Sequence, residues 1–116
     1  MADNERIQVH LSESVAFQEF LRDNQTVIVR AHATWCKPCK MVQPLFNACV
    51  EELPKCVSIV HLDIDKAPSV SRKLSIRSVP CFISFHQGQP YDVSKGSNPV
   101  SVKSFFNKVK NRLGMK

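Results

Sequence analysis

The run Thr26-Val-Ile-Val-Arg-Ala-His-Ala33 passes through Thr34 and Trp35 straight into Cys36-Lys37-Pro38-Cys39. So many β-branched and apolar residues in succession read as a strand buried on both faces, hence central in its sheet. The residues after Cys36 have helical spacing, so two cysteines sit where a buried strand hands over to a helix. The unpaired N–H groups of that helix end, with the partial positive charge they carry, favour thiolate over thiol. Cys36 is therefore expected to have a lowered pKa and to act as the nucleophile. Cys39, one turn further in, is placed to close a disulfide with Cys36 and to resolve a mixed disulfide. Pro38 suits the first turn, where a missing N–H costs nothing.

The rest of the chain alternates between two periods. Ile7–Leu11 alternates apolar and polar as a half-buried strand does. Ser12 is the expected N-cap of a first helix, with Glu13 in its first turn and Val15, Phe17, Phe20 and Leu21 at helical spacing. The second helix is expected from Cys36 to about Leu53, with an apolar face of Val42, Leu45, Phe46, Cys49, Val50 and Leu53, and a kink at Pro44. A third strand reads from Cys56 to Asp63 and a short helix from Pro68 to Leu74. Two strands, Cys81–His86 and Tyr91–Lys95, join through Gln87-Gly88-Gln89-Pro90 as a hairpin. The last helix opens with Asn98 as N-cap and Pro99 at its first position, and buries Val102, Phe105, Phe106, Val109 and Leu113. The order β-α-β-α-β-α-β-β-α is that of an α/β domain, a mixed sheet with helices on both faces.

The sequence has 116 residues, 43% of them hydrophobic, which suits a single domain over 1–116. No apolar run approaches the roughly 18 residues of a membrane span. Met1-Ala2-Asp3-Asn4-Glu5-Arg6 lacks the apolar stretch of a signal peptide, so a cytoplasmic location is expected. Five cysteines cannot all pair within one chain, and in a reducing compartment a CxxC is catalytic or metal-binding before it is a staple. Two sulfurs are half of a tetrahedral zinc set, and no second CxxC or H-x3-H comes after them. Neither a metal nor a cofactor is expected. The net charge of +6 favours acidic partners. The basic segment Lys95 to Lys116 carries no nucleic-acid motif and reads as the solvated face of a helix.

Ala33-Thr34-Trp35-Cys36-Lys37-Pro38-Cys39-Lys40-Met41 resembles the active-site segment of the thioredoxin family, and the element order is similar to the thioredoxin fold over nearly the whole chain. The resemblance implies a thiol–disulfide oxidoreductase acting on protein disulfides, reset by a thioredoxin reductase or a glutathione-linked reductant. Ser78-Val79-Pro80-Cys81 resembles the family's loop with a cis proline against the disulfide. There Val79 would offer backbone hydrogen bonds to an extended substrate. Trp35, Lys37, Pro38, Val79, Pro80 and Gly96 are the implied substrate-docking residues, and Gly96 would keep the groove beside Cys36 open.

Four positions depart from the family pattern. Cys81 stands where threonine is common, and reads as a buried spectator, an alternative disulfide partner or a soft ligand beside Cys36. Lys37 replaces a usual glycine. Arg30 stands where the family places a buried aspartate that manages the proton of the second cysteine, and His61 replaces a lysine that faces that acid. An arginine cannot accept a proton. Arg30 and Lys37 would instead stabilise thiolate and make the pair more oxidising, with His61 or His32 taking over as base. Alternatively Arg30 snorkels to solvent and pairs with an acid such as Asp63. These departures also keep a second reading in view, a redox-weak protein-interaction module on the thioredoxin scaffold. The oligomeric state is left open.

Overall fold

The computed structural model describes residues 5–115. Five strands, β1 (Gln8–His10), β2 (Thr26–His32), β3 (Ser58–Asp63), β4 (Cys81–His86) and β5 (Gln89–Lys95), form one sheet in the order β1-β3-β2-β4-β5. The first three are mutually parallel, β4 runs antiparallel to β2, and β5 antiparallel to β4. Four helices cover it: α1 (Ser14–Asp23), α2 (Lys37–Glu51), α3 (Pro68–Lys73) and α4 (Pro99–Arg112). No helix among the described residues is long and apolar enough to cross a membrane.

Alternation along β2 splits the core in two. Val27, Val29 and Ala31 face one way, against Phe17 and Leu21 of α1 and Val70 of α3. Ile28 faces the other way, against Val42, Phe46 and Val50 of α2 and Val102, Phe105, Phe106 and Val109 of α4. Both sides of β2 are thus sealed, as a run without polar alternation requires. Phe46 stacks on Phe82 of β4 with centroids 5.2 Å apart and meets Phe106 edge-on at 5.6 Å, so one aromatic cluster locks α2 to the sheet and to α4.

Element boundaries moved where backbone hydrogen bonding outranked side-chain propensity. α1 has Glu13, not Ser12, in the N-cap position, and no side chain caps it. The burial of Phe17 and Leu21, one turn apart, sets its phase instead. α2 runs Lys37–Glu51 with Pro44 inside it, and Cys36 is its N-cap. Cys56 lies outside β3, exposed in the turn that precedes it. The hairpin turn is two residues, not four. Gln87 and Gly88 both have positive φ (52° and 80°), the backbone that matches the twist of the flanking strands, and Gln89 and Pro90 already belong to edge strand β5. α4 begins as expected: Asn98 accepts from the amides of Val100 and Ser101, and Pro99 sits in the first turn.

Candidate active site

β2 and β3, parallel neighbours, deliver their C-terminal ends to one edge of the sheet, where α2 starts. Cys36 and Cys39 are joined there as a disulfide, with Cα atoms 5.3 Å apart. The amide of Cys39 donates to Cys36 Sγ at 3.1 Å, so the first sulfur occupies the place that a serine or aspartate oxygen holds in an ordinary N-cap. A sulfur in that position lies in the positive end of the helix field and has an N–H aimed at it. Both features favour the thiolate. Both cysteines are 3% exposed and pack with Ala33, Ile64 and Val79.

The Val79-Pro80 bond is cis. The carbonyl oxygen of Val79 lies 3.7 Å from Cys36 Sγ, so the loop passes directly over the first sulfur. The amide of Gly96 donates to the Pro80 carbonyl at 2.8 Å, which ties the end of β5 to the same loop. Gly96 has φ of 91°, a left-handed backbone that favours glycine, and a Cβ there would project into open space. Trp35, 66% exposed, donates its indole N–H to Asp65 at 2.8 Å, and Asp65 is held in turn by its amide on the Asp63 carboxylate. Lys37 and Lys40 are exposed on the first turn of α2, and Pro38 lies within that turn. Cys36, Val79, Pro80 and Gly96 are thus linked by direct contacts, and Trp35, Lys37 and Pro38 flank the disulfide along the chain.

Arg30 neither snorkels nor meets Asp63. It is 8% exposed and donates from Nε to His61 Nδ1 at 2.8 Å; the two residues are register partners across β2 and β3. His61 Nε2 is 2.8 Å from Gln8 Oε1, and the His61 ring stacks on His10 at 4.9 Å. With Nδ1 accepting from a guanidinium, His61 is neutral with its proton on Nε2, shared with Gln8. Burial, then the Arg30 charge, pushes its pKa down to about 4. The expected role of His61 as replacement base therefore fails: neither ring nitrogen is free, and the imidazole is a poor proton acceptor. His61 orients Arg30 instead. Neither sulfur lines the cavity of about 440 Å³ that His61 shares with His10, His32 and Asp63. Cys81 is buried in the core cluster on the α1 and α3 side, which meets the cluster around the disulfide through Ile64 and Val79. Burial pushes its thiol pKa up, which matches a spectator.

Two contributors carry no signal in the sequence. Asp65 positions Trp35 from thirty residues away, and Gln8 fixes the His61 tautomer from the neighbouring edge strand β1. Neither sits in a local pattern that would mark it.

The thioredoxin family model matches residues 8–110. The chain belongs to the thioredoxin family. It is 30% identical over 112 residues to chloroplastic thioredoxin Y1 of Arabidopsis thaliana, covering 96% of this chain and 64% of that one. It is 34% identical over 89 residues to a bifunctional thioredoxin reductase/thioredoxin of Mycobacterium leprae, covering 77% of this chain and 19% of that one. Among solved structures, oxidised mitochondrial thioredoxin 3 of Saccharomyces cerevisiae superposes with a TM-score of 0.79 at 26% identity, covering 86% of this chain and 93% of that one. The chain thus spans less than two thirds of the length of those two sequence relatives.

Proposed function

We propose that this chain is a thiol–disulfide oxidoreductase for protein substrates. Cys36 thiolate attacks a target disulfide and forms a mixed disulfide. Cys39 then attacks Cys36 Sγ, which restores the Cys36–Cys39 bond and expels the target thiolate. The observation that carries this assignment of roles is the Cys39 amide donating to Cys36 Sγ at the N-cap of α2, which singles out Cys36 as the sulfur with the stabilised anion. Trp35, Lys37, Pro38, Val79, Pro80 and Gly96 form the docking rim in this reading, with Val79 offering its backbone to an extended segment of substrate.

A flavoprotein thioredoxin reductase is the proposed source of electrons. The Mycobacterium leprae relative, whose name joins the two activities in one chain, supports it. The cytoplasm is the proposed location, because three further cysteines, Cys49, Cys56 and Cys81, are unpaired and suit a reducing compartment.

The test is NADPH-coupled reduction of insulin disulfides with thioredoxin reductase, together with a titration in glutathione buffers followed by the fluorescence of Trp35, the single tryptophan. Turnover by the wild type, none by Cys36→Ser, and a trapped mixed disulfide with Cys39→Ser are expected. A wild type with no redox transition, indistinguishable from Cys36→Ser, would leave the interaction-module reading in its place.

A further inference from the structure

A buried guanidinium without an acid is costly, because its charge loses hydration and gains no ionic partner. Arg30 approaches that state: it is 8% exposed, faces water only through a cavity, and pairs with no acid among the described residues. The alternation that sends Ile28 toward α2 sends Arg30 the same way, so its side chain lies under the first turns of that helix. Among the described residues its one side-chain hydrogen bond goes to a neutral imidazole, burial alone accounts for the lowering of its pKa, and no carboxylate raises it. The groups around it come from every neighbouring element. Its own strand offers His32, β3 offers His61 with Asp63 further along, and β1 offers His10. The partner on β4 is Phe82, and α2 brings Cys39 and Lys40. Beyond β3, Lys66 adds a further positive charge near His32. Asp63 is the register partner of His32, and its carboxylate accepts from the Asp65 amide.

The active site itself supplies an anion to match this charge. Arg30, His32, Cys39, Lys40 and Gln43 line a common cavity of about 330 Å³, which no carboxylate borders among the described residues. While the disulfide is closed, Cys39 is neutral. When it opens, Cys39 becomes the only group on that cavity, among the described residues, able to turn negative. We propose that Arg30 is a positioning residue that serves as the counter-ion of the Cys39 thiolate, held in place by the neutral His61 through Nε and left without an acid so that the resolving sulfur completes the pair.

The resolving step then needs no carboxylate base. The Cys39 proton leaves to solvent through the cavity, and His32 is a poor acceptor for it because burial and Arg30 both lower its pKa. Cys39 thiolate attacks Cys36 Sγ, the Cys36–target bond breaks, and its electron pair leaves on the target sulfur, which takes a proton from water. Overall the dithiol loses two electrons and two protons, and the target disulfide becomes two thiols. A cation that stabilises the reduced, ionised pair also makes the pair more oxidising.

This inference rests on Cys39 being the resolving cysteine, and its test can fail separately. In Cys36→Ser protein, the alkylation of Cys39 by iodoacetamide is followed against pH, resolved by mass spectrometry from Cys49, Cys56 and Cys81. The midpoint is expected below the ordinary thiol value of about 8.5. Arg30→Met should cut the thiolate fraction at neutral pH at least about tenfold, the usual effect of removing a close opposite charge, and Arg30→Lys should restore most of it. In an otherwise wild-type chain, Arg30→Met should shift the glutathione equilibrium toward the disulfide. A Cys39 midpoint at or above the ordinary thiol value with Arg30 intact would overturn the proposal, and that measurement needs no Arg30 variant to fold. Equal Cys39 midpoints with and without the R30M substitution would also overturn it. Either result would leave insulin turnover by the wild type, and so the oxidoreductase assignment, untouched.

Discussion

Arg6, half-buried, and Arg30, buried, stand at opposite ends of helix α2, and they are satisfied in opposite ways. Arg6 donates to four backbone carbonyls, those of Val50, Leu53, Pro54 and Val57, at 2.8–3.0 Å. One of them, Val50, belongs to the last turn of α2, where the helix field favours a cation; the other three follow in the chain just beyond it. Arg30 lies near the N-terminal end, where that field disfavours a cation, and it has one neutral acceptor. The same side chain is a four-bond structural clamp at one end, with only its Nε unpartnered, and a charge with one neutral acceptor at the other. A permanent cation stabilises a fold when acceptors are built around it. It tunes chemistry when they are withheld until a reaction supplies one.

The largest expected effect belongs to the clamp. Arg6→Met should cost about 3 to 4 kcal/mol, since four charged hydrogen bonds are lost at once. Urea denaturation of the oxidised protein measures it, and a loss under about 1 kcal/mol would end the contrast with Arg30.

Next comes acid. His61 is neutral in the folded chain, with a pKa pushed down to about 4 by burial and then by Arg30, against about 6.5 unfolded. Between those values the unfolded chain binds a proton that the folded one rejects, so stability rises with pH across the window and falls as pH drops from about 6.5 toward 4. The loss should be about 2 to 3 kcal/mol in denaturation curves of the oxidised protein. His32 and His86, also lowered by burial, act in the same direction. In R30M the acid loss should shrink but persist, because burial is the larger cause.

Third, Arg30→Met should change the stability of the oxidised protein by no more than about 1 kcal/mol, with a gain as acceptable as a loss, since an apolar side chain replaces an uncompensated buried charge. Measured beside Arg6→Met, it is the direct test of the comparison: equal costs would mean that Arg30 is a clamp too. The smallest effect is that of Gln8→Ala, which removes the second partner of His61. A cost of about 0.5 to 1 kcal/mol and a small upward shift in the Cys39 midpoint are expected, the latter seen by the same alkylation assay.

Much of this molecule was legible in local pattern. The apolar run of β2 announced a central strand, Asn98-Pro99 announced the start of α4, and Cys36-Lys37-Pro38-Cys39 announced a redox pair at a helix mouth. Each rests on interactions between residues close in the chain, which is why spacing alone reveals them. The Ser12 cap and the four-residue hairpin turn failed for the complementary reason: the packing of Phe17 and Leu21 and the left-handed pair Gln87-Gly88 decided those boundaries. The partner of Arg30 was likewise out of reach. Sequence showed a cation in a buried strand and offered Asp63 as its natural acid. Strand register put His61 beside it, and Gln8 and His10 from the sheet edge determined that this imidazole stays neutral and orients rather than titrates. The sequence by itself determined the fold, the cysteine pair and the presence of a misplaced charge, because those arise from periodicity and local chemistry. Only the tertiary structure decided what that charge faces, because the field at a buried group is set by neighbours such as His61, which the chain brings from 31 residues away, and Phe82, from farther still.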